Sequence, residues 1–242
     1  MSCDLPLPKK VFGHGFLTKD GEKMGKTTGN IIDPYELINE FGADAVRFYF
    51  LREVTFGRDG DYTRENFISR INSDLANNLG NLLNRTLNLV NKNFNGVLKD
   101  PTLKDFLNLK EKTNNIISAY EEHMNGLELK EALEVIWNLV DSANRVFNEK
   151  EPWKLIKNND IDKASSCLYE TLEILRNISI MVCPFIPETS FKIYNQLGCD
   201  TLNFGNIWKE LGWGKQEQGG TFKVKEGKPI FPRLDFSAIK ST

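Results

Sequence analysis

Ser73-Asp74-Leu75-Ala76-Asn77-Asn78-Leu79-Gly80-Asn81-Leu82-Leu83-Asn84-Arg85-Thr86-Leu87-Asn88-Leu89-Val90-Asn91-Lys92-Asn93-Phe94-Asn95 is the stretch on which the fold of this 242-residue chain turns. Advancing 100° per residue gathers Leu75, Leu79, Leu82, Leu83, Leu87, Val90 and Phe94 on one side of a helix that ends at Gly96. The opposite side holds Asn77, Asn81 and Arg85 at i, i+4 and i+8, joined by Asn84 and Asn88. Asparagine is a weak helix former, so stability gives no reason to place it there. An amide offers donors and an acceptor, and beside a guanidinium such a row can pair with the edges of unpaired bases. A merely solvated face is the plainer reading of the same residues. Both readings stand on pattern alone.

Downstream, the periodicity predicts more helices of the same kind. Asp105 to Met124 carries Phe106, Leu107, Leu109, Ile116, Ile117 and Tyr120, and Gly126 closes it. Glu128 to Glu149 carries Leu129, Leu133, Ile136, Trp137, Leu139, Val140, Ala143 and Phe147, and Ile161 to Val182 repeats the pattern. Pro184 and Pro187 break the chain before a last helix, Glu188 to Leu197. Helices joined by short links form an antiparallel bundle, so the fold class is mainly α, preceded by a short strand and loop. Glu151-Pro152-Trp153, flanked by Lys150 and Lys154, interrupts the bundle at a helix junction. Trp153 there is either a buried anchor or an exposed stacking platform. Residues 205–242 hold more Gly and Pro than periodicity. Trp208, Leu211 and Trp213, then a hairpin at Lys225-Glu226-Gly227-Lys228, describe a tail that packs back on the body.

Upstream, Asp33-Pro34-Tyr35-Glu36 opens a helix: Asp33 caps, Pro34 suits the first position and Glu36 completes a capping box. Leu37, Ile38 and Phe41 form its apolar stripe and Gly42 stops it. Ala43 to Glu53 is a buried aromatic-rich element, Gly57 to Asp61 a polar turn, and Thr63 caps another helix. Before all of these lies Gly13-His14-Gly15-Phe16-Leu17-Thr18-Lys19-Asp20-Gly21-Glu22-Lys23-Met24-Gly25-Lys26-Thr27-Thr28-Gly29-Asn30. Val11 to Thr18 reads as a strand and Lys19-Asp20-Gly21 as a turn with positive φ. Beyond it Lys23 and Lys26 flank Gly25, with two threonines following. Glycine admits close backbone approach, while lysines and free N–H groups suit a polyanion such as triphosphate. A solvated hairpin and polar loop would look the same.

Composition narrows the class. A net charge of −2 gives no global basic field, so any nucleic-acid contact must be a local patch. Cys3, Cys167, Cys183 and Cys199 lack paired short spacing and there are two histidines, so a zinc site is not expected and the thiols read as reduced. No apolar run suits a bilayer span and no signal peptide is visible, which points to the cytoplasm and away from a membrane.

Lys23-Met24-Gly25-Lys26-Thr27 resembles the KMSKS signature of class I aminoacyl-tRNA synthetases, and its setting is similar to the methionyl-tRNA synthetase family. The resemblance implies that the loop closes over ATP. Lys26 then stabilises the phosphates with support from Lys23, and Met24, Gly25 and Thr27 complete the ATP-binding segment. Gly25 stands where that pattern has a first serine and Thr27 where it has the second, which bears on how the loop closes. In the same family an anticodon site combines an N-x-x-x-N-x-x-x-R helix face with a proline–tryptophan pair. Here those positions are Asn77, Asn81, Arg85, Pro152 and Trp153, so the resemblance implies stacking by Trp153 and pairing-edge contacts from Asn81 and Arg85. It implies four regions: 1–30 ending a catalytic domain, 31–72 a stem-contact connector, 73–204 the anticodon-binding bundle, and 205–242 the tail. It further implies tRNA-Met, methionine and ATP (with Mg2+) as ligands of the full enzyme, no metal site in this segment, and a HIGH motif upstream of Met1. On that basis the chain on its own is expected to be inactive. The competing readings are a stand-alone tRNA-binding module and a helical scaffold without catalytic activity.

Overall fold

The computed structural model describes residues 7, 10–55, 57–101, 109–199, 207–215 and 220–235. Its first element is a small sheet. Asp20 and Gly21 both take positive φ, 54° and 77°, as the tight turn joining β1 (Leu17–Lys19) to antiparallel β2 (Glu22–Lys23) demands. β3 (Gly60–Tyr62) pairs with β1 in parallel, Leu17 opposite Gly60 and Lys19 opposite Tyr62. The strand expected from Val11 is therefore shorter: residues 11–16 are irregular, because the ladder with β3 reaches back only to Leu17.

Asp33 accepts the Tyr35 N–H at 2.8 Å and Pro34 takes the first position of α1 (Pro34–Phe41). Glu36 lines a neighbouring cleft instead of closing a capping box. Gly42, at φ 85°, turns the chain into α2 (Ala43–Glu53), whose Phe48 and Tyr49 are fully buried. Phe41, Tyr49, Phe50, Tyr62 and Phe67 form one aromatic cluster with centroids 4.7–6.1 Å apart, tying β3 to the helices.

Thr63 accepts the Asn66 N–H at 3.1 Å and starts α3 (Arg64–Arg70). The helix expected from Ser73 thus begins nine residues earlier, and it changes character on the way. α3 runs without interruption through a π-helical stretch, Ile71–Gly80, into α4 (Asn81–Phe94). A π-helix bonds i→i+5, so its turn is wider and residues four apart nearly align. Buried Ile71, Leu75 and Leu79 keep that spacing of four, whereas in α4 the buried set returns to spacings of three and four: Leu82, Leu83, Thr86, Leu87 and Val90. A salt-bridge network fixes the stretch from outside. Arg70 meets Glu53 at 3.0 Å and Asp74 at 3.5 Å, while Arg52 meets Asp74 at 3.8 Å and Glu134 at 3.2 Å.

The bundle follows as the periodicity implies. α5 (Lys110–Gly126) packs on α6 (Leu129–Lys150), α6 and α7 (Pro152–Lys157) on α8 (Ile161–Met181), and α8 on α9 (Pro187–Gln196). The expected start of α5, including Phe106 and Leu107, lies outside the described residues. Leu127, not Gly126, holds the left-handed conformation that ends α5, at φ 60°. α8 is the central helix, buried on all faces from Ser166 to Met181. Its fully buried Glu173 and Arg176 pair at 2.9 Å, and Arg176 also donates to the carbonyls of Glu210 and Gly212, pinning the 3₁₀ turn Ile207–Glu210 and the chain after it. From α2, Asp44 accepts the Thr189 N–H at 2.6 Å and hydroxyl at 2.7 Å, capping the start of α9 from another element. Cys167 and Cys183 are free and buried, and burial pushes the Cys167 thiol up to about 12.

No hairpin forms at 225–228. β5 (Thr221–Lys223) instead pairs antiparallel with the distant β4 (Val97–Lys99). The backbone beyond is satisfied by helix side chains: Asn91 donates to the Lys225 carbonyl, Gln196 brackets Lys228, and Asn72 brackets Leu234 at 2.8 and 2.9 Å.

Candidate functional site

Two polar constellations singled out in the sequence sit on different elements. The first is the lysine loop after β2. Asp61 of β3 anchors the turn before it, accepting the Thr18 hydroxyl at 2.6 Å and the Gly21 N–H at 2.9 Å; these bonds hold its carboxyl below the usual carboxylate range. The loop itself is tied to Asn30. That side chain accepts the Gly25 N–H at 3.0 Å and donates to the Lys23 carbonyl at 3.2 Å. Lys23, Lys26 and Thr27 are exposed, Met24 and Gly25 half-buried, and Lys23 Nζ lies 5.5 Å from the centre of the Phe16 ring. Two lysines and a hydroxyl on a short closed loop, with no carboxylate inside it, can neutralise an anion.

The second constellation combines α4 with the α6–α7 junction. Glu151 takes a left-handed φ of 45°, and this reverses the chain so that Pro152 starts α7 and Trp153 folds back toward α6. Trp153 is neither a core residue nor fully exposed. Its ring lies 6.0 Å from buried Phe147, and Arg85 of α4 lies over both, 5.2 Å from the Trp153 centroid and 4.8 Å from Phe147. Both terminal nitrogens of Arg85 donate to Asn148 Oδ1 at 3.0 Å. Three of the guanidinium's five N–H donors are left over beside an aromatic face. Pro152 is buried at the first position of α7.

Asn77 and Asn81 are exposed, as the 100° reading placed them. With Gly80 and Asn84 they form one wall of a groove of about 480 Å³, whose other wall is Pro229 to Arg233. Asn78, absent from the expected ridge, is turned inward: it donates to Asp141 at 2.7 Å and accepts from Asn144 at 2.7 Å. The structure therefore brings Arg85 and Trp153 together, places Asn77 and Asn81 in the adjoining groove, and adds Phe147, Asn148 and the 229–233 wall. Those additions carry no motif. Phe147 belonged to an apolar stripe, Asn148 is one asparagine among many, and the tail wall is set by long-range bonds from Asn72 and Gln196. The π-helical register change is likewise invisible in pattern, yet it keeps Asn77 and Asn81 nearly aligned.

Comparisons with known proteins bear on the chain as a whole. Residues 1–87 match the family described as tRNA synthetases class I (M), and residues 103–231 match the anticodon binding domain of methionyl tRNA ligase. The chain belongs to the methionyl-tRNA ligase family. The methionine–tRNA ligase of Caldanaerobacter subterraneus subsp. tengcongensis is 44% identical over 239 residues, covering 97% of this chain and 37% of that protein. That of Clostridium perfringens is 45% identical over 244 residues, covering 97% and 36%. The chain thus spans a little over a third of the length of these curated relatives. Among solved structures, Mycobacterium tuberculosis methionyl-tRNA synthetase bound by methionyl-adenylate superposes with a TM-score of 0.84 at 33% identity, covering 94% of this chain and 45% of that one. Its apo form gives 0.81 at 31% identity. Among the described residues no helix is long and apolar enough to cross a membrane.

Proposed function

We propose that this chain supplies the ATP-phosphate loop and the anticodon-reading bundle of an enzyme that ligates methionine to tRNA-Met. In the full reaction the methionine carboxylate attacks the α-phosphate of ATP, giving methionyl-adenylate and pyrophosphate; a terminal ribose hydroxyl of the tRNA then displaces AMP. Lys26, assisted by Lys23, offsets the charge that builds on the phosphates, with Met24, Gly25 and Thr27 shaping the loop that approaches them. The Mg2+ that accompanies ATP finds no cluster of three or more His, Cys, Asp or Glu side chains among the described residues, and no step is assigned to it.

The single observation that carries the RNA half of this reading is the Arg85–Trp153 pair. An extruded base stacks on the open part of the Trp153 ring while the free donors of Arg85 and the Asn81 amide meet its pairing edge. Asn77 and Pro152 complete the site, one as a second amide in the groove and the other by fixing the tryptophan. The reducing cytoplasm fits the buried thiols of Cys167 and Cys183.

The test is a fluorescence titration of the chain with the anticodon stem-loop of tRNA-Met, at stated salt, beside a stem-loop with one anticodon base changed. Quenching that separates the two RNAs and disappears in folded Trp153→Ala supports the assignment. Equal or absent quenching with both RNAs removes it, and a helical scaffold then becomes the better description.

A further inference from the structure

The lysine loop has an organisation that phosphate binding alone does not explain. Of the eight residues from Lys23 to Asn30, only Met24, Gly25 and Asn30 are withdrawn from solvent at all, and Asn30 is where the loop's bonds converge. Its Oδ1 accepts the Gly25 N–H at 3.0 Å and lies 2.6 Å from Thr28 Oγ1; its Nδ2 donates to the Lys23 carbonyl at 3.2 Å. The Thr28 hydroxyl shares its one proton between Asn30 Oδ1 and the Gly25 carbonyl, 2.8 Å away, and the Thr28 N–H donates to that carbonyl at 3.3 Å. Asn30 itself stands just before Asp33, which is fixed at the start of α1. One amide on a fixed base therefore closes a ring around Gly25, Lys26, Thr27 and Thr28.

We propose that Asn30 is the positioning residue of the lysine loop, a latch that holds residues 23–29 in a single closed conformation with Lys26 presented to solvent. Glycine at 25 is part of the device. A Cβ there would sit 3.1 Å from Thr28 Oγ1, so the threonine hydroxyl would have to give by a few tenths of an ångström. A loop with glycines at 25 and 29 would otherwise lose much conformational freedom on binding an anion; the latch removes that cost in advance. The contribution to polyphosphate affinity rests on the function proposed above, while the latch stands on its own bonds.

Trypsin reads the latch directly, because cleavage after Lys23 and Lys26 needs the backbone to open, and its rate follows the open population. In the 242-residue chain, Asn30→Ala is expected to speed cleavage at Lys26 by about tenfold, as befits the loss of two or three loop hydrogen bonds, with far-UV circular dichroism unchanged. Asn30→Asp keeps the acceptor oxygens for Gly25 and Thr28 and restores most of the protection. Hydrogen exchange of the unaltered chain supplies a second measurement: the Gly25 amide exchanges more slowly than that of Thr27. Wild-type cleavage rates in Asn30→Ala, or a Gly25 amide as labile as that of Thr27, overturn the proposal. Titration with inorganic tripolyphosphate then separates the two ideas. Weaker binding by both Asn30→Ala and Lys26→Ala supports a latch serving the phosphates. Loosened cleavage in Asn30→Ala with tripolyphosphate binding indifferent to Lys26→Ala keeps the latch and removes the phosphate reading.

Discussion

Arg85 and Arg176 are both arginines on bundle helices, and the molecule uses them in opposite ways. Arg176 is wholly buried; its terminal nitrogens are occupied by Glu173 and by the carbonyls of Glu210 and Gly212. Arg85 sits at a rim, held by one asparagine oxygen and two aromatic rings, with most of its donors open. A buried ion pair is costly to break but is weak evidence for net stability, since desolvation offsets much of the attraction. The difference lies in what surrounds the remaining donors: those of Arg85 stand at a rim where a ligand could reach them, whereas the one Arg176 donor left without a partner, Nε, is sealed inside the core, so Arg176 serves as a fastener and Arg85 is the candidate reader.

The sharpest way to break that contrast is Arg176→Ala. It leaves the Glu173 carboxylate buried without its partner and is expected to destabilise the chain by about 3–5 kcal/mol in urea denaturation, with loss of order in residues 207–215. A cost under about 1 kcal/mol would mean that Arg176 is no fastener. Asp44→Ala tests a fastener of intermediate strength. Removing the remote cap of α9 should cost about 1–2 kcal/mol, seen as faster hydrogen exchange at Thr189 and Ser190. Asn148→Ala probes the reader. It frees the guanidinium to leave the Phe147–Trp153 face, so anticodon stem-loop affinity should fall several-fold, while stability stays within about 0.5 kcal/mol because the site is at the surface. If affinity holds, Arg85 is placed by the rings alone.

The smallest effect expected is in the hairpin before the lysine loop. The Asp61 carboxyl is depressed by bonds from Thr18 and Gly21, so its stabilising effect is present above the ordinary aspartate pKa and is lost as pH falls through the lowered value. Asp61→Asn should flatten the acid dependence of the β1–β2 turn, followed by the Gly21 amide resonance. An unchanged titration would show that the turn is held by backbone pairing alone.

Much of this was legible in the chain itself. The 100° stripe of Leu82, Leu83, Leu87 and Val90 and the Asp33 and Thr63 caps are local physics, and those helices followed from them; Pro152 was read only as a break between helices, whereas it starts α7. The resemblance to methionyl-tRNA synthetases rested on two short motifs, and the geometry brings the parts of the second, Arg85 and Trp153, to within 5.2 Å. What could not be read was non-local. The π-helical stretch lies against α6, some sixty residues on in the chain, and the pairing of β5 with β4 joins segments more than a hundred residues apart. Gly227 suggested a hairpin because glycine marks turns; instead the polar side chains of Asn91 and Gln196 satisfied the backbone there, and no second strand was needed. Asn148 was hidden for another reason. A single asparagine has meaning only once its neighbour across the bundle is known.

The unbroken run from α3 through the π-helical stretch into α4 makes the chain a lever. It starts two residues after β3, the strand that carries the Asp61 anchor of the lysine hairpin, and it carries Arg85 roughly 30 Å along the axis, nine residues short of its end at Phe94. On an arm of that length a tilt of about 5° carries the guanidinium through roughly 2–3 Å, a full hydrogen-bond length. The same rod is packed on α6 and α8 along its length, so the bundle holds the spacing between the lysine hairpin and the Arg85–Trp153 pair.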